Sequence, residues 1–471
     1  MKKKAVILGG GVGGLSAGWM LGRTGHYDVT VVERAPVLGG VCGTFQHGDF
    51  LLDYGPHKSY SAIPGVLDEL RSLMGDEFLQ LEKLNTIYLF GHYLKYPISL
   101  FDLAPKMGLS NLTATGFTAV GAMLRRRDLN QTQSYEDYVV AKFGSKLYEL
   151  VFQPLANKIW GDPATLSADI ARTRIPSSSV FDTALRAAGL KKESAMTDAK
   201  YFYYPRKGFG RIPDRMAEEI TKQGGRLLTG TTPTRIQRDG KKVTGLEIQR
   251  EGATETLPCD VLISSVPLDV VARLLGADRE LAPVLADADK LQYRNAFLVY
   301  VFLRKEVLTR HHWLFFPERD LIFGRVFEQK LLSAEMAPRD RTVLCCDFTD
   351  YVDGLLTKSS DAELVKRCIE DLKKVKLIEP AWVEQTLVKR LPKFYPRYDL
   401  NYKKTVADLY NGLRRYDRLL STGRVGFYNY NNSDHCVDMG RFITEKLEAG
   451  VPTDVIWTEL ENRVANYRIV D

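Results

Sequence analysis

The chain opens with two short apolar runs that flank a stretch of small residues. The runs Ala5–Leu8 and "DVTVVE" (28–33) each have the length and the β-branched content of a buried strand. The stretch between them, which ends near Leu21, predicts a small-residue helix. Strand, helix and strand in this order within one short segment are typical of a parallel sheet with a crossover helix.

Farther along the chain the pattern alternates between helical and strand periods. Residues 60–200 are predicted to be mostly helical, with amphipathic stretches such as "GVLDELRSLMG" and "SYEDYVVAKFGSKLYELVFQPLANKIWG". Residues 225–267 instead predict successive strands, with turns at "DGKK" and "REGAT" and a buried last strand that leads to Pro267. A later block, "NAFLVYVFLR" (295–304), "HHWLFFP", "LIFGRVF" and "TVLCCDF", predicts the meander of a further sheet.

Composition and charge narrow the class of protein. The chain has 471 residues, 45% of them hydrophobic and 26% charged, so two or three folded domains are expected and disorder is not. The net charge of +7 is spread over 65 basic and 58 acidic side chains, which does not favour nucleic acid and suits an anionic substrate or cofactor. Six dispersed cysteines indicate neither a metal site nor a disulfide framework, and a cytoplasmic setting is expected.

One segment raises the question of membrane contact. No window reaches the roughly eighteen uninterrupted apolar residues of a spanning helix, and glycines break the N-terminal apolar run too early for a signal peptide. The segment "NLTATGFTAVGAML" (111–124) is interpreted as a buried or lid helix. The alternative is a helix on a membrane surface, with Arg125, Arg126 and Arg127 at its edge.

A glycine pattern lies at the junction of the first predicted strand and helix. Gly9, Gly11 and Gly14 have the spacing GxGxxG, and Glu33 ends the second strand, nineteen residues after Gly14. The first glycine permits a tight turn, the second lets the backbone approach a pyrophosphate, and the third allows close helix–strand packing. The helix N-terminus favours phosphate charge, and the carboxylate suits a ribose. Together these features predict a dinucleotide-binding site.

Two further segments resemble a known superfamily. The stretch "RAPVLGGVCGTF" brings Gly39, Gly40 and Gly43 just after Glu33, and "LLSTGRVGFYNYNNSDHCVDMGRFITEKL" (419–447) resembles a strand, a loop and a helix that close on a flavin. In both, the chain is similar to FAD enzymes of the amine oxidase, protoporphyrinogen oxidase and UDP-galactopyranose mutase superfamily. The resemblance implies FAD and an α/β fold, in which a Rossmann-type, glutathione-reductase-like FAD-binding domain is interleaved with an α+β substrate domain.

The same resemblance implies a discontinuous domain organisation. Residues 1–95, 203–275 and 400–471 are expected to form the FAD-binding domain. Residues 96–202 and 276–399 are expected to form the substrate-binding domain. Both ends of the chain would then build one cofactor domain.

Several segments resemble UDP-galactopyranose mutases more specifically, and they occur in the same order. They are "DYGPHKSYS" (53–61), "LKYPI" (94–98), "FQPLANKIWGDPATLSADIARTRIP" (152–176), "YYPRKGFGRIPDRMAEEI" (203–220), "HWLFFPERDLIFGRVF" (312–327) and "FYPRYDL" (394–400). Enzymes of this type interconvert the pyranose and furanose forms of a UDP-sugar, with N5 of the reduced flavin acting as nucleophile on the anomeric carbon. The resemblance therefore implies a UDP-sugar as the small-molecule substrate.

Roles for individual residues follow from the resemblance. Arg174 and Arg325 would grip the diphosphate, since a guanidinium fork suits phosphate oxygens. The implied catalytic residues are His57, Arg174 and Arg325, and the implied substrate contacts are these two arginines with Trp160, Trp313 and the hydroxyls of Tyr395 and Tyr430. Beyond the first glycine motif and Glu33, the implied cofactor contacts are Arg34, Gly39, Gly40, Gly55, Pro56, His57, Thr234, Arg424, Asp434 and His435. Without the resemblance, Arg325 would be interpreted as a solvated charge and the tryptophans as core residues.

The turn around His57 allows two interpretations. Imidazole titrates near neutral pH, so a general base is one of them. The mutase resemblance favours the other, in which the backbone of His57 lies beside flavin N5. Pro56 stands where the family has a glycine and removes one amide donor, and Lys58 either steers an anionic substrate or is solvated.

Three functions remain open from the sequence. The first is a mutase-like enzyme that acts on a nucleotide-linked sugar with reduced FAD. The second is an FAD oxidoreductase of the protoporphyrinogen oxidase, amine oxidase or desaturase type, oxidising a small apolar or amine substrate. The third is a non-catalytic protein that retains FAD. The sequence determines neither the reductant nor the oligomeric state.

Overall fold

The computed structural model describes residues 1–96, 100–125, 127–175, 200–276 and 280–469. Arg126 and residues 176–199, part of the region predicted to be helical, lie outside the described residues. The strands are β1 (Lys3–Leu8), β2 (Tyr27–Val32), β3 (Thr44–His47), β4 (Phe50–Asp53), β5 (Phe78–Glu82), β6 (Asn85–Leu89), β7 (His92–Tyr96), β8 (Tyr201–Pro205), β9 (Arg226–Leu228), β10 (Thr232–Asp239), β11 (Lys242–Arg250), β12 (Ala253–Pro258), β13 (Val261–Ser264), β14 (Tyr293–Leu303), β15 (Trp313–Phe315), β16 (Arg325–Glu328), β17 (Thr342–Tyr351), β18 (Val383–Pro396) and β19 (Leu419–Ser421). The helices are α1 (Val12–Arg23), α2 (Val66–Met74), α3 (Leu100–Leu103), α4 (Leu109–Arg125), α5 (Tyr135–Phe143), α6 (Ser145–Leu147), α7 (Gln153–Ile159), α8 (Asp169–Arg174), α9 (Arg211–Lys222), α10 (Leu268–Leu274), α11 (Ala282–Ala288), α12 (Leu355–Lys358), α13 (Asp361–Lys374), α14 (Tyr402–Leu413), α15 (Gly423–Gly426), α16 (Ser433–Glu448) and α17 (Thr453–Ala465).

The first sheet is parallel and is built from both ends of the chain. Its five strands lie in the order β19-β13-β1-β2-β9, and every pairing between them is parallel. Residues 5–8 of β1 are buried, as expected for a parallel sheet that is covered on both faces. The predicted mixed α/β fold is confirmed, together with the strand–helix–strand order at the N-terminus.

Helix α1 is covered by two other helices, α9 and α16. A methyl group on Gly440 of α16 would lie 2.8 Å from the carbonyl carbon of Ser16 in α1, so these two helices meet where one of them has no side chain. This close packing brings the C-terminal helix of the predicted cofactor domain directly against the helix that follows the first glycine loop.

The second sheet has seven strands in the order β18-β14-β17-β16-β15-β6-β7. Strands β15 and β6 pair in parallel, whereas the other neighbours are antiparallel. Side chains alternate across β14: Phe297 and Val299 belong to a core that includes one face of α13, while Leu298 and Tyr300 face the core shared with the first sheet. Strands β15 to β17 form the predicted meander. Strand β14 lies beyond β17, because it pairs along its whole length with β17 and not with β15.

Residues 78–96 form strands in a region predicted to be mostly helical. Strand β5 pairs with β8, and β6 and β7 form a hairpin whose turn residues Phe90 and Gly91 have φ values of 52° and 79°. The hairpin extends the seven-stranded sheet, since β6 pairs with β15. The predicted cofactor segment 1–95 therefore includes two strands of the other sheet. Their partner is more than two hundred residues away, so the local pattern does not reveal the pairing.

Residues 226–264 form successive strands, as predicted. Strands β10, β11 and β12 make a separate antiparallel sheet, and the turns between them fall at the predicted "DGKK" and "REGAT" segments. Among the residues that the structure describes, no helix combines the length and the apolar character needed to cross a membrane.

Candidate functional site

The first glycine loop is open on one side and tightly packed on the other. Gly9 has φ of 104°, and its amide donates to the Val32 carbonyl at 2.8 Å, which joins the loop to the end of β2. A methyl group on Gly14 would lie 2.0 Å from the Gly9 carbonyl oxygen, whereas one on Gly11 would meet no atom within 4 Å. No side chain caps the N-terminus of α1. The loop therefore offers open backbone and amide donors to an anion.

Glu33 and the second glycine cluster border this loop. The Glu33 carboxylate accepts hydrogen bonds from the amides of Gly10 and Ala35, each at 2.7 Å. The amide of Gly39 donates to the Gly10 carbonyl at 2.8 Å. A methyl group on Gly40 would lie 3.4 Å from the Cα of Gly11. The two glycine clusters are thus adjacent, and Glu33 lies between them at the end of β2.

The closing segment reaches the same loop from the C-terminal side. Strand β19 pairs with β13, and the chain then turns at Gly423, whose φ is 79°. A methyl group on Gly13 would lie 2.8 Å from the Cα of Gly423. Both ends of the chain therefore meet at the start of α1. The open backbone at Gly11, the uncapped helix and the carboxylate of Glu33 fit the pyrophosphate and ribose of FAD.

Two other predicted cofactor residues, Thr234 and His435, form hydrogen bonds within the protein. Thr234 is exposed, and its hydroxyl donates to Glu247 at 2.7 Å; the buried Thr231 is the residue of that segment whose amide donates to the Glu33 carbonyl. His435 caps α16, because its Nδ1 accepts from the Asn432 amide at 3.0 Å. Three further positions are the following: Asp434 is buried at the same helix start, Arg34 is exposed beside Glu33, and Gly55 has φ of 108° in the turn before Pro56.

Arg174 lies between two aromatic rings. Its guanidinium carbon is 4.9 Å from the centre of the Trp160 ring and 4.4 Å from the centre of the Tyr430 ring, and cation–π attraction holds the group there. The Tyr395 ring lies 5.8 Å from that of Tyr430. The Tyr430 hydroxyl donates to the Pro396 carbonyl. In this geometry Tyr430 presents its ring to Arg174, while its one hydroxyl hydrogen is already used.

Arg424 connects this cluster to His57. Its guanidinium carbon lies 5.8 Å from the Tyr395 ring centre, and its Nε donates to the Asn431 carbonyl at 2.8 Å. Burial, followed by the charges of Arg424 and Arg325, lowers the pKa of His57 to about 3. The imidazole is therefore neutral near pH 7 and too weakly basic for the general-base interpretation. The geometry favours a positioning role for the His57 turn.

The remaining predicted residues, Arg325 and Trp313, lie on strands β16 and β15 of the second sheet. Arg325 forms an ion pair with Asp347: its Nε donates to Oδ2 at 3.0 Å, and its Nη2 donates to the same atom. This pair fixes the plane of the guanidinium. The ammonium of Lys58 lies 5.9 Å from the centre of the Trp313 ring, and the His57 ring stacks on Phe209 at 4.9 Å.

The sequence pattern does not single out Arg294, although the structure makes it conspicuous. Its side chain is 3% exposed, its Nε donates to Thr349 Oγ1 at 2.9 Å, and its guanidinium carbon lies 4.4 Å from the Tyr351 ring centre. Its Nη1 is buried without a hydrogen-bond partner, and it forms no ion pair with a carboxylate in the described ranges. Burial raises the pKa of Tyr430, and the charges of Arg174, Arg424 and Arg294 oppose this. Arg294 therefore acts on the same cluster.

Asp53 is a second residue that the pattern does not single out. It is fully buried at the end of β4, where it accepts from Thr44 Oγ1 at 2.5 Å, from the Phe209 amide at 3.1 Å and from the Tyr204 hydroxyl. Burial raises the pKa of Asp53 to about 6, against the effect of these hydrogen bonds. Asp53 thus fixes the turn that carries His57. A carboxylate and an arginine inside the apolar runs "FLLDYG" and "YRNAFLVYVFL" were the available signals.

Comparison with known proteins agrees with this geometry. The family model for flavin-containing amine oxidoreductases matches residues 12–435. The coproporphyrinogen III oxidase of Bacillus subtilis is 23% identical over 468 residues, which cover 93% of this chain and 97% of that protein. The phytoene dehydrogenase of Streptomyces griseus is 27% identical over 296 residues, 58% of this chain. That match spans about half of the dehydrogenase, 55% of its length.

Solved structures share the whole fold. A reduced UDP-galactopyranose mutase matches with a TM-score of 0.84 and 19% identity, over 100% of this chain and 99% of that one. A putative protoporphyrinogen oxidase from Exiguobacterium sp. 255-15 matches with a TM-score of 0.72 and 19% identity, over 96% and 99% of the two chains. At this level of identity the likeness concerns the fold alone.

Proposed function

Because the chain belongs to the family of flavin-containing amine oxidoreductases, we propose that it is an FAD-dependent isomerase of the UDP-galactopyranose mutase type, acting on a nucleotide-linked sugar. The enzyme is a flavoprotein, and FAD is its cofactor. The proposal concerns the substrate and the reaction.

The main support for the proposal is that the site gathers arginines that form no ion pair with a carboxylate. Arg174, Arg294 and Arg424 form no ion pair with any carboxylate in the part of the chain that the structure describes. Uncompensated charge in a buried site is unfavourable unless an anion joins it. A diphosphate supplies two negative groups and acceptor oxygens for these donors. An apolar polyene would supply neither.

In this proposal the side chains of the site have separate roles in binding the substrate. Arg174, steadied by the Trp160 and Tyr430 rings, binds one phosphate group. Arg325, whose guanidinium plane is fixed by Asp347, binds the other phosphate group. The neutral imidazole of His57 adds no charge that would compete with the arginines for the anion. The hydroxyl of Tyr395 remains the proposed donor from the tyrosine pair, since that of Tyr430 is bonded to the Pro396 carbonyl.

Residues around the first glycine loop would hold the cofactor. The amides at the start of α1 suit the pyrophosphate, Glu33 suits the ribose, and Gly40 keeps the space above Gly11 open. The chemistry that bound FAD supplies in its reduced state is a nucleophilic ring nitrogen. The turn at Gly55 and Pro56, with the neutral ring of His57, would lie beside the flavin ring.

Interconversion of UDP-galactopyranose and UDP-galactofuranose by dithionite-reduced holoprotein tests the proposal. Product formation is measured by chromatography of the two nucleotide sugars. The oxidised holoprotein is the matched control and is expected to be inactive. A flavin-loaded, reduced protein that converts neither sugar, and whose melting temperature does not respond to UDP, contradicts the proposal.

A second candidate is an FAD oxidoreductase that oxidises a small apolar or amine substrate. Two observations favour it: the exposed apolar side chains of α4 and the near full-length similarity to a coproporphyrinogen III oxidase. Substrate-dependent oxygen uptake with release of hydrogen peroxide, measured over amines, porphyrinogens and polyenes, is the expected result for this function. UDP would then leave the melting temperature unchanged.

A further inference from the structure

Helix α4 turns its large apolar side chains toward solvent. None of its described side chains is buried. The exposed fractions of six of them lie between 39% and 81%: Leu109, Leu112, Phe117, Val120, Met123 and Leu124. At 100° per residue these positions form a single stripe along the helix. A helix on the surface of a globular protein normally turns such an apolar stripe toward the core.

The opposite face of α4 explains why the stripe stays outside. That face carries small residues, and Thr118 is its point of closest contact with the protein body. A methyl group on Gly144 would lie 2.6 Å from the Thr118 carbonyl carbon, and the Lys146 amide donates to Thr118 Oγ1 at 3.4 Å. Leucine or phenylalanine side chains do not fit so narrow a contact. The packing therefore fixes the apolar stripe outward and contradicts the expectation of a buried helix.

The described charged side chains of residues 103–127 lie at the two ends of α4 and are of one sign. In this range the sequence has no aspartate or glutamate, and the described cations Lys106, Arg125 and Arg127 are all exposed. Basic groups at the ends of an exposed apolar stripe complement anionic lipid headgroups above an apolar interior.

We propose that α4 is a docking surface that binds the face of an anionic lipid bilayer, with its axis parallel to the membrane. The helix has 17 residues and is about 25 Å long. In this orientation Phe117 and Val120 enter the headgroup boundary, while Arg125 and Arg127, at the C-terminal end of the helix, are within reach of phosphate groups through their long side chains. The inference does not depend on which reaction the enzyme catalyses.

Co-sedimentation of the FAD-loaded protein with vesicles tests this proposal. Vesicles of phosphatidylcholine with phosphatidylglycerol are compared with vesicles of phosphatidylcholine alone. The wild-type protein is expected to bind the anionic vesicles about tenfold more tightly than the neutral ones, with weaker binding at high salt. Equal and negligible binding to both kinds of vesicle overturns the proposal.

Two variants separate the apolar and the electrostatic contributions. Phe117→Ser combined with Leu124→Ser is expected to lower vesicle affinity about tenfold. Arg125→Glu combined with Arg127→Glu is expected to abolish the preference for anionic lipid. Leu355→Ser is the matched control, since Leu355 is 76% exposed on a different helix, and it is expected to bind like the wild type.

Two further results would overturn the proposal. One is vesicle binding that the Phe117→Ser and Leu124→Ser changes leave intact. The other is a change from dimer to monomer caused by these substitutions, detected by light scattering without vesicles, which would assign the stripe to a second copy of the chain. Unchanged flavin content and melting temperature show that each variant is folded.

Discussion

The arginine site, which contains Arg174, Arg294, Arg325 and Arg424, and helix α4 depart from the usual distribution of side chains in opposite ways. The site buries a charged side chain, whereas α4 exposes apolar ones. In the site, Arg294 is 3% exposed and forms no ion pair with a carboxylate among the described residues. On α4, Phe117 is 81% exposed. Folded proteins ordinarily pair buried charges and bury most large apolar side chains. Each region therefore carries an unfavourable feature that folding alone does not remove.

The difference between the two regions lies in what would remove that feature. An anion that enters the site would supply negative charge to compensate the positive charges of Arg294 and Arg174. It would lose its hydration water on entering. A lipid surface covers the stripe on α4 without changing the interior. A buried charge or an exposed apolar side chain thus indicates the chemistry of the partner that would cover it: negative charge in one region and an apolar surface in the other.

The largest expected effect comes from removing a charge inside the site. Arg174→Ala is expected to weaken the binding of UDP about 100-fold, because hydrogen bonds to a charged group are lost together with their Coulomb attraction. Isothermal titration of the flavin-loaded protein with UDP measures the change. Arg273→Ala, at an exposed arginine that pairs with Asp289, is the control. If both variants bind UDP equally well, the site is not the anion site.

A pH experiment asks whether the site tolerates one more positive charge. Unfolded His57 gains a proton near pH 6.5, whereas folded His57 gains it only near pH 3. Between these values the unfolded state binds more protons, so the free energy of unfolding falls as the pH falls. The His57→Gln variant lacks this titration. Allowing for the partial exposure of the ring, we expect its free energy of unfolding to fall by about 2 kcal/mol less than that of the wild type over this pH range.

Urea unfolding of the flavin-free wild type and variant at several pH values between 3 and 7 measures this difference. Parallel pH dependences for the two proteins would show that His57 titrates normally. In the enzyme assay, His57 is expected to contribute no inflection to the pH profile near its ordinary pKa.

Substitution of Arg294 is expected to have two smaller effects, a gain in stability and a loss of affinity for UDP. Arg294→Met is expected to raise the free energy of unfolding of the flavin-free protein by about 1 kcal/mol, because an unpaired buried charge is replaced by an apolar chain of similar length. The same substitution is expected to weaken UDP binding about tenfold. Denaturant unfolding and UDP titration measure the two quantities.

Arg325→Met is the control for Arg294, because Arg325 has a carboxylate partner. Its removal leaves Asp347 buried without the charge that compensates it, and stability is expected to fall by about 2 kcal/mol. If Arg294→Met and Arg325→Met destabilise the protein equally, the charge of Arg294 is compensated within the folded protein.

The smallest effect is expected on α4. Phe117→Ser is expected to change the free energy of unfolding by less than about 0.5 kcal/mol, because an exposed side chain contributes little to the core. Phe209→Ala, at a phenylalanine that is 1% exposed, is the buried counterpart and is expected to lose about 3 kcal/mol. A large loss from Phe117→Ser would show that the stripe is covered within the folded chain.

Much of the cofactor half was predictable because its signals are local. The turn at Gly9, the packing of Gly14 and the position of Glu33 all arise within a single strand–helix–strand unit. The family and FAD were confirmed on this basis. The cofactor contact of Thr234 stays a prediction: its hydroxyl donates to Glu247, while Thr231, three residues earlier, lies against Glu33. Register at the end of a strand depends on the neighbouring strand.

The substrate side was less predictable because its contacts join distant parts of the chain. The resemblance indicated Arg174, Trp160, Tyr395 and Tyr430, which the structure brings into contact. It did not indicate Arg294, whose isolation is visible only once the sheet is assembled. Nor did it indicate that the hydroxyl of Tyr430 is bonded to a backbone carbonyl, since that carbonyl lies 34 residues earlier on another strand.

The strand–helix–strand start, the glycine loop and the apolar period of α4 could be predicted from the sequence, because each depends on residues that are neighbours along the chain. The face of α4 that points outward and the buried charges that form no ion pair became visible only in the folded molecule. The direction of a helix face and the pairing of a charge depend on what packs against them. In this fold the packing partners come from strands and helices that are far apart in sequence.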